Sequence, residues 1–146
     1  MKVTDAGTEA VAGLTRLQQL TFGGDITDAG VRHLRALKSL WKLEVFDSPG
    51  LTDELVDTVL VLPKLQRLSV IQVPLTDAGL RRLTPHRTLA SLCLYRTQVT
   101  DAGLAHLKEF PGLDELELWG RGFTDAGVGH LAAVKGLKKL WLRDTL

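Results

Sequence analysis

The dipeptide Thr-Asp recurs six times along the chain at a nearly constant interval. Its threonines are Thr4, Thr27, Thr52, Thr76, Thr100 and Thr124, which gives spacings of 23, 25, 24, 24 and 24 residues. A fixed period in this range indicates a stacked array of similar units, each too small to bury a core alone. The sequence therefore predicts six repeats in one domain, with boundaries near 3–25, 26–50, 51–74, 75–98, 99–122 and 123–146.

Each unit contains two apolar patterns of different period. Leu104, Leu107 and Phe110 follow helical spacing, whereas the next apolar residues, Leu113, Leu116 and Leu118, close with the alternation of a strand. The threonine that opens each unit is a helix N-cap residue, and the aspartate after it lies in the first turn, near the positive end of the helix dipole. One unit is therefore predicted to be a short helix followed by a short strand.

The composition excludes several classes of protein. A chain of 146 residues that is 45% hydrophobic and 24% charged is typical of one globular domain, and its net charge of +1 does not suggest a nucleic-acid partner. No apolar stretch is long enough to span a membrane, and the first residues enter a repeat without a signal-peptide pattern. The single cysteine, Cys93, fits a reducing compartment, so we expect a cytoplasmic location.

Two features depart from a regular array. Apolar residues at both ends of the array have no further unit to cover them, so we expect either a piece of a longer protein or self-association. These residues are Val11, Leu14, Leu17, Leu20, Leu137, Leu140 and Leu142. In the fourth unit, Pro85 and His86 stand where other units end the helix with an apolar residue, so the helix should stop early. His86 is then either a buried neutral histidine or turned outward.

The strand segments carry a family resemblance over essentially the whole chain. Leu65-x-x-Leu68-x-Val70 and its five counterparts resemble the leucine-rich repeat, and the Thr-Asp-Ala-Gly-Leu helix start is similar to repeats of many bacterial leucine-rich proteins. The start is also similar to the cysteine-containing subtype of F-box proteins, although no F-box segment is present. The resemblance implies a right-handed α/β solenoid of six repeats, with a parallel sheet on its concave side and short helices on its convex side.

Strand residues that point away from the core should form three columns across the concave side. The first column is Gln19, Lys42, Arg67, Ser91, Glu115 and Lys139. The second column is Thr21, Glu44, Ser69, Cys93, Glu117 and Trp141, and the third is Gly23, Phe46, Ile71, Tyr95, Trp119 and Arg143.

The third column holds four consecutive large apolar or aromatic residues that the core does not need. Exposed aromatic clusters rimmed by charge mark interaction sites, so we predict a protein-binding surface. Its residues are Phe46, Ile71, Tyr95, Trp119 and Trp141, surrounded by Lys42, Glu44, Arg67, Glu115, Glu117, Lys139 and Arg143. The alternative is lateral stacking that only stabilises the sheet. The strip covers roughly 300 Å² by strand geometry. A standard interface needs about 800 Å² on each partner, so loops or further repeats would contribute.

No residue pattern predicts catalysis or a cofactor. His33, His106 and His130 share one helix position, but neighbouring helices are too far apart for a good metal site and no third ligand joins them. The six aspartates of the Thr-Asp pairs already have a role at the helix starts, and Cys93 has no histidine near its column to activate it. We therefore predict a partner-binding protein that is not an enzyme. The alternative is a structural or self-assembling segment without its own ligand.

Overall fold

The computed structural model describes residues 3–143, in which short helices and strands alternate along the chain. The strands are β1 (Val3–Thr4), β2 (Gln19–Asp25), β3 (Lys42–Phe46), β4 (Arg67–Ile71), β5 (Ser91–Tyr95), β6 (Glu115–Trp119) and β7 (Lys139–Arg143). The helices are α1 (Asp5–Val11), α2 (Asp28–His33), α3 (Leu55–Val59), α4 (Asp77–Leu83), α5 (Asp101–Leu104) and α6 (Asp125–His130). Short 3-10 segments follow three of the helices, at Leu34–Ala36, Leu107–Glu109 and Leu131–Ala133.

The seven strands form one parallel sheet in sequence order. Neighbouring strands pair without a register shift, so that Leu43, Leu68, Leu92 and Leu116 lie side by side across the sheet. Helix and strand alternate in each of the six units, as the two apolar periods predict. The predicted fold class, an α/β solenoid with strands on the concave side and helices on the convex side, is confirmed.

The core is the layer between the sheet and the helices. In β3 to β6 the apolar residues at the two inward positions are almost completely buried, as are the apolar residues on the inner side of the helices, such as Leu80 and Leu104. Burying a leucine side chain contributes roughly 1.5 to 3 kcal/mol. Because each unit supplies the same few leucines, the core is continuous along the array and the concave face is held at a fixed register.

Successive units are joined by a bridge between an aspartate and the threonine of the next unit. The Thr100 backbone N–H and the Thr100 hydroxyl donate hydrogen bonds to Asp77 Oδ1 and Oδ2, each at 2.7 Å. The same bridge joins Asp5 to Thr27, Asp28 to Thr52, Asp53 to Thr76 and Asp101 to Thr124. These bonds hold the pKa of Asp5 and of Asp101 below the usual value of 3.8, chiefly through the Thr27 backbone N–H and the Thr124 hydroxyl.

The glycine of each Thr-Asp-Ala-Gly start makes room for this bridge. A Cβ atom on Gly103 would overlap the Asp77 carboxylate and approach Val99 Cγ1 to 2.8 Å. Gly30, Gly79 and Gly127 meet the preceding unit's aspartate in the same way. The third unit has Leu55 instead of this glycine, and its helix begins only at Leu55, two residues later than in the other units. The missing Cβ atom of these glycines therefore leaves the space that the carboxylate of the preceding unit occupies.

The predicted threonine caps are present in four units, and the prediction is wrong for Thr52, because α3 begins at Leu55 with Glu54 as its N-cap. The hydroxyls of Thr27, Thr76, Thr100 and Thr124 accept a hydrogen bond from the backbone N–H two or three residues on, at 3.2 to 3.4 Å. The prediction is also wrong for Thr4, whose side chain makes no cap bond. The hydroxyls of these four threonines therefore serve twice, as caps of their own helix and as donors to the preceding aspartate.

The fourth unit ends its helix at Leu83 without a 3-10 continuation, and His86 is buried there. Its Nε2 lies 3.2 Å from the carbonyl oxygen of Val59, so Nε2–H donates, and Nδ1 has no hydrogen-bond partner among the described residues. Burial lowers the pKa of His86 below 6.5. The first of the two alternatives, a buried neutral histidine, is confirmed.

This buried histidine should make stability depend on pH. Because the pKa of His86 is lower in the folded chain than the 6.5 of an exposed histidine, the unfolded chain takes up the proton first as the pH falls. We expect the free energy of unfolding to decrease from pH 7 to pH 5, and to decrease less in His86→Leu. Urea unfolding of the parent and of His86→Leu at several pH values checks this. An equal dependence of the free energy of unfolding on pH in the two chains would contradict it.

Apolar side chains are exposed at both ends of the array, as predicted for uncovered core positions. Leu14 is exposed near α1, and Leu140 and Leu142 are exposed on β7. Among residues 3–143, no helix is long and apolar enough to cross a membrane.

Candidate binding surface

The three predicted columns are present on the concave face. Strand pairing aligns Lys42, Arg67, Ser91, Glu115 and Lys139 in the first column. It aligns Glu44, Ser69, Cys93, Glu117 and Trp141 in the second, and Phe46, Ile71, Tyr95, Trp119 and Arg143 in the third. The sheet therefore brings all twelve predicted site residues together on one face. Their role in binding remains a prediction.

The aromatic residues of the third column form a partly exposed cluster. The rings of Tyr95 and Trp119 meet edge to face, with centroids 5.5 Å apart and an interplanar angle of 66°. Phe46 is 37% exposed and packs over Gly23, where a Cβ atom would overlap its ring. Trp141, in the second column, is 40% exposed. Lateral stacking is thus present, as in the alternative interpretation, yet the cluster still presents ring surface to solvent.

Two arginines lie on the aromatic pair. The Arg143 guanidinium lies 4.5 Å from the Trp119 ring centroid, and that of Arg96 lies 5.1 Å from the Tyr95 centroid. The indole Nε1–H of Trp119 donates a hydrogen bond of 2.6 Å to Glu117 Oε1. Cation–π contacts of this kind contribute about 0.5 to 1 kcal/mol at exposed sites. Trp119 is therefore held in one orientation by a cation, a carboxylate and a neighbouring ring.

The first column carries an ion-pair network. Lys139 forms an ion pair and hydrogen bond with Glu115 from one side, and Arg67 approaches the same carboxylate to 3.5 Å from the other. The Lys139 ammonium is the main reason that the pKa of Glu115 lies below 4.5. Lys42 and Glu44 form a looser pair at 3.8 Å. The charges that surround the aromatic cluster are therefore organised by the sheet register.

Cys93 lies half-buried in the second column, between Ser69 of β4 and Glu117 of β6. Burial, followed by the charge of Glu117, raises the pKa of the Cys93 thiol to about 12. The thiol is the unreactive form, which agrees with the prediction of a passive cysteine.

We expect Cys93 to react slowly with a thiol reagent. At pH 8 a pKa of about 12 leaves roughly a thousandfold less thiolate than the ordinary value of 9.0. The unfolded chain ionises first as the pH rises, so stability should fall from about pH 9 toward pH 12. The rate of reaction with Ellman's reagent, measured for the native and for the denatured chain, checks the expected slow reaction of the thiol. A native rate equal to the denatured rate would contradict it.

The convex histidines do not form a ligand set. His33 and His130 are exposed, and His106 has its Nδ1 3.1 Å from Glu109 Oε1. Within residues 3–143, no group of three or more histidine, cysteine, aspartate or glutamate side chains is placed to hold a metal ion. The aspartates of the Thr-Asp pairs join neighbouring units, apart from Asp125, which makes no such bridge among the described residues.

Two features of the surface escaped sequence reasoning. Arg96 directly follows β5 in the left-handed backbone region, at φ 49°, and its contact with Tyr95 has no sequence signal beyond that adjacency. A groove of about 660 Å³ lies beside the starts of the strands and is lined by Gln18, Ser39, Trp41, Pro63, Lys64, Gln66 and Thr88. Trp41 directly precedes β3, outside the three columns, so the groove is a second surface with an aromatic residue.

Comparison with known proteins identifies the fold. No protein-family model matches the sequence, and no curated protein matches it. Among solved structures, the chain is similar to an internalin, inlF, of Listeria monocytogenes, with 28% identity over 90% of this chain and a TM-score of 0.69. It is also similar in fold to internalin C2 of the same organism, with 24% identity over 92% of this chain and a TM-score of 0.60.

The aligned region covers 36% of the first internalin and 55% of the second, so the chain spans only part of the length of either protein. Internalins are leucine-rich repeat proteins, and their repeats align with nearly the whole chain. The chain thus has the leucine-rich repeat solenoid fold that these internalins share.

Proposed function

We propose that this chain is a protein-binding module that uses its concave face. The observation that carries the proposal is the partly exposed aromatic cluster of Phe46, Tyr95, Trp119 and Trp141, which the core does not need. Tyr, Trp and Arg dominate the binding energy of most protein interfaces, and all three are concentrated here. The proteins of similar fold are internalins of a bacterium, which favours a bacterial protein of the same general kind.

The rigidity of the surface supports this function. Tyr95 and Trp119 are already oriented by each other, by Arg96 and Arg143, and by the hydrogen bond to Glu117. Side chains that are ordered before binding lose less conformational entropy when a partner arrives. The surface is therefore suited to a partner of defined shape. The strip of strands alone is smaller than a standard interface, so the partner would also contact the loops that follow the strands.

Affinity capture tests the proposal. The immobilised parent chain and the double variant Tyr95→Ala/Trp119→Ala are compared for retained proteins, with circular dichroism to show that both are folded. Trp41→Ala is the matched control, because it removes a tryptophan that lies outside the columns. We expect the double variant to lose a partner that the parent and Trp41→Ala retain. Loss in Trp41→Ala alone would assign binding to the other groove and overturn the proposal.

A second candidate function is self-assembly through the ends of the array. The exposed Leu14, Leu140 and Leu142 favour it, because a second copy stacked on either end would cover them. Mass measured by light scattering across a dilution series separates the two candidates. A monomer at every concentration would exclude stacking of this chain, whereas a mass that rises with concentration and is insensitive to Tyr95→Ala/Trp119→Ala would favour it.

A further inference from the structure

Around Glu115, the positive side chains of the first column are more exposed than the carboxylate that they share. The side chains of Arg67 and Lys139 are 52% and 57% exposed, while the Glu115 side chain between them is only 15% exposed. The register places Ser91 between Arg67 and Glu115, and its small side chain lets the arginine reach across one strand. A partner that approaches this part of the face therefore meets the cations before it meets the carboxylate.

The cations at this point outnumber the carboxylates. Glu115 serves both Arg67 and Lys139, so one negative charge neutralises only one of two positive charges. Arg67 contacts Glu115 only at 3.5 Å and makes no shorter hydrogen bond in residues 3–143, which leaves its N–H donors available. A guanidinium with free donors binds a carboxylate in a bidentate geometry. Arg67 and Lys139 thus have the capacity for a second carboxylate.

The aromatic pair lies further along the same strands, and two more cations contact its rings. Tyr95 and Trp119 are on the same strands as Ser91 and Glu115, four residues further along β5 and β6. Arg96 and Arg143 lie on their rings. The aromatic surface therefore carries positive charge at its own end of the strands, while Glu117 of the second column lies between it and the cations of the first column.

From this arrangement we propose that the concave face recognises an acidic segment of a partner protein, with one aspartate or glutamate carboxylate bound by Arg67 and Lys139 and an apolar side chain further along the segment on the Tyr95–Trp119 pair. The inference rests on the proposed function and specifies the chemistry of its partner. Complementary charge of this kind raises the association rate and selects among partners.

A nucleic acid is the less suitable occupant. A phosphodiester backbone requires a continuous track of positive charge, whereas Glu44 and Glu117 occupy the second column across the middle of the face. A partner with separate carboxylates places its negative charges only where the cations are. The acidic peptide therefore fits the pattern of charges better than a nucleic acid does.

Peptide display provides the test. Random peptides displayed on phage are selected on the parent chain, and those that do not bind Tyr95→Ala/Trp119→Ala are kept as concave-face binders. We expect these peptides to be enriched in Asp and Glu, with an apolar residue further along the peptide, and to bind more weakly as the salt concentration rises. Arg67→Gln and Lys139→Gln should each weaken binding about tenfold. Arg82→Gln is the matched control, because Arg82 pairs with one carboxylate, Asp57, on the convex side.

The outcomes distinguish this inference from the function on which it rests. Concave-face binders without acidic enrichment, or binders unaffected by Arg67→Gln and Lys139→Gln, would overturn the inference and leave the proposed function standing. No concave-face binders at all would contradict both. Oligouridylate that displaces the selected peptides and binds the parent more tightly than they do would also overturn it, in favour of a nucleic-acid partner.

Discussion

Replacing Asp77 with alanine is expected to lower the free energy of unfolding by about 2 kcal/mol. The substitution removes two charge-assisted hydrogen bonds of 2.7 Å, to the backbone N–H and hydroxyl of Thr100. A hydrogen bond to a charged group contributes about 1.5 kcal/mol or more when buried, and we take about 1 kcal/mol for each of the two bonds because water reaches this bridge. Urea unfolding followed by circular dichroism measures the change.

Asp125→Ala is the matched control for this substitution. Asp125 occupies the same place in a Thr-Asp-Ala-Gly start, but it bridges to no threonine among the described residues. Both substitutions remove a carboxylate from the first turn of a helix, so both lose the same interaction with the helix dipole. The difference between the two losses in the free energy of unfolding therefore measures the contribution of the bridge. Equal losses in Asp77→Ala and Asp125→Ala would show that the bridges between units add nothing to stability.

The same bridge predicts that the cost of Gly103→Ala depends on Asp77. In the parent chain the added Cβ atom overlaps the Asp77 carboxylate and displaces it from Thr100, which should cost about 1 to 3 kcal/mol. In the Asp77→Ala chain the carboxylate is absent and only the close approach to Val99 Cγ1 remains, so the same change should cost less, by about 1 kcal/mol or more. Additive effects in this double-mutant cycle would contradict the packing that we describe.

Trp119→Ala is expected to weaken binding of a captured partner about 30-fold or more, which corresponds to a hot-spot loss of at least 2 kcal/mol. Trp119 is the residue on which Tyr95, Arg143 and Glu117 converge, so its loss removes contact surface and releases the side chains that it orders. Isothermal titration calorimetry with the captured partner measures the effect.

Trp119→Phe and Glu117→Gln serve as controls for this loss. Phenylalanine keeps an aromatic ring without the indole N–H, and glutamine keeps an acceptor for that N–H without the charge. We expect both to retain most of the affinity. Affinity unchanged in Trp119→Ala, in a chain that is folded by circular dichroism, would mean that Trp119 only stabilises the sheet by lateral stacking.

The regular features of the fold could be predicted from the sequence because they depend on periodicity. The interval of about 24 residues predicts the repeats, and the alternation in each strand predicts which residues turn away from the core. Once parallel strands pair without a register shift, the three columns follow directly. For this reason the positions of Tyr95, Trp119 and Trp141 on one face could be predicted without coordinates.

The contacts between units could not be predicted in the same way. The Asp77 side chain has a satisfactory role at its own helix start, and only the distance to the next unit shows that it binds Thr100. Arg96 reaches Tyr95 because the backbone turns into the left-handed region after β5. The arrangement of Arg67, Glu115 and Lys139 depends on side-chain reach across Ser91. These features are set by three-dimensional packing and leave no period in the sequence.

The three tryptophans of the chain allow the most direct test of the concave-face proposal. Trp119 and Trp141 lie in the columns, whereas Trp41 lines the separate groove. Hydroxyl-radical footprinting of the chain, free and in complex with its captured partner, measures the oxidation of each tryptophan by mass spectrometry. We predict that the partner protects Trp119 and Trp141 and leaves Trp41 unchanged. Protection of Trp41 alone, or of none of the three, would contradict binding through the concave face.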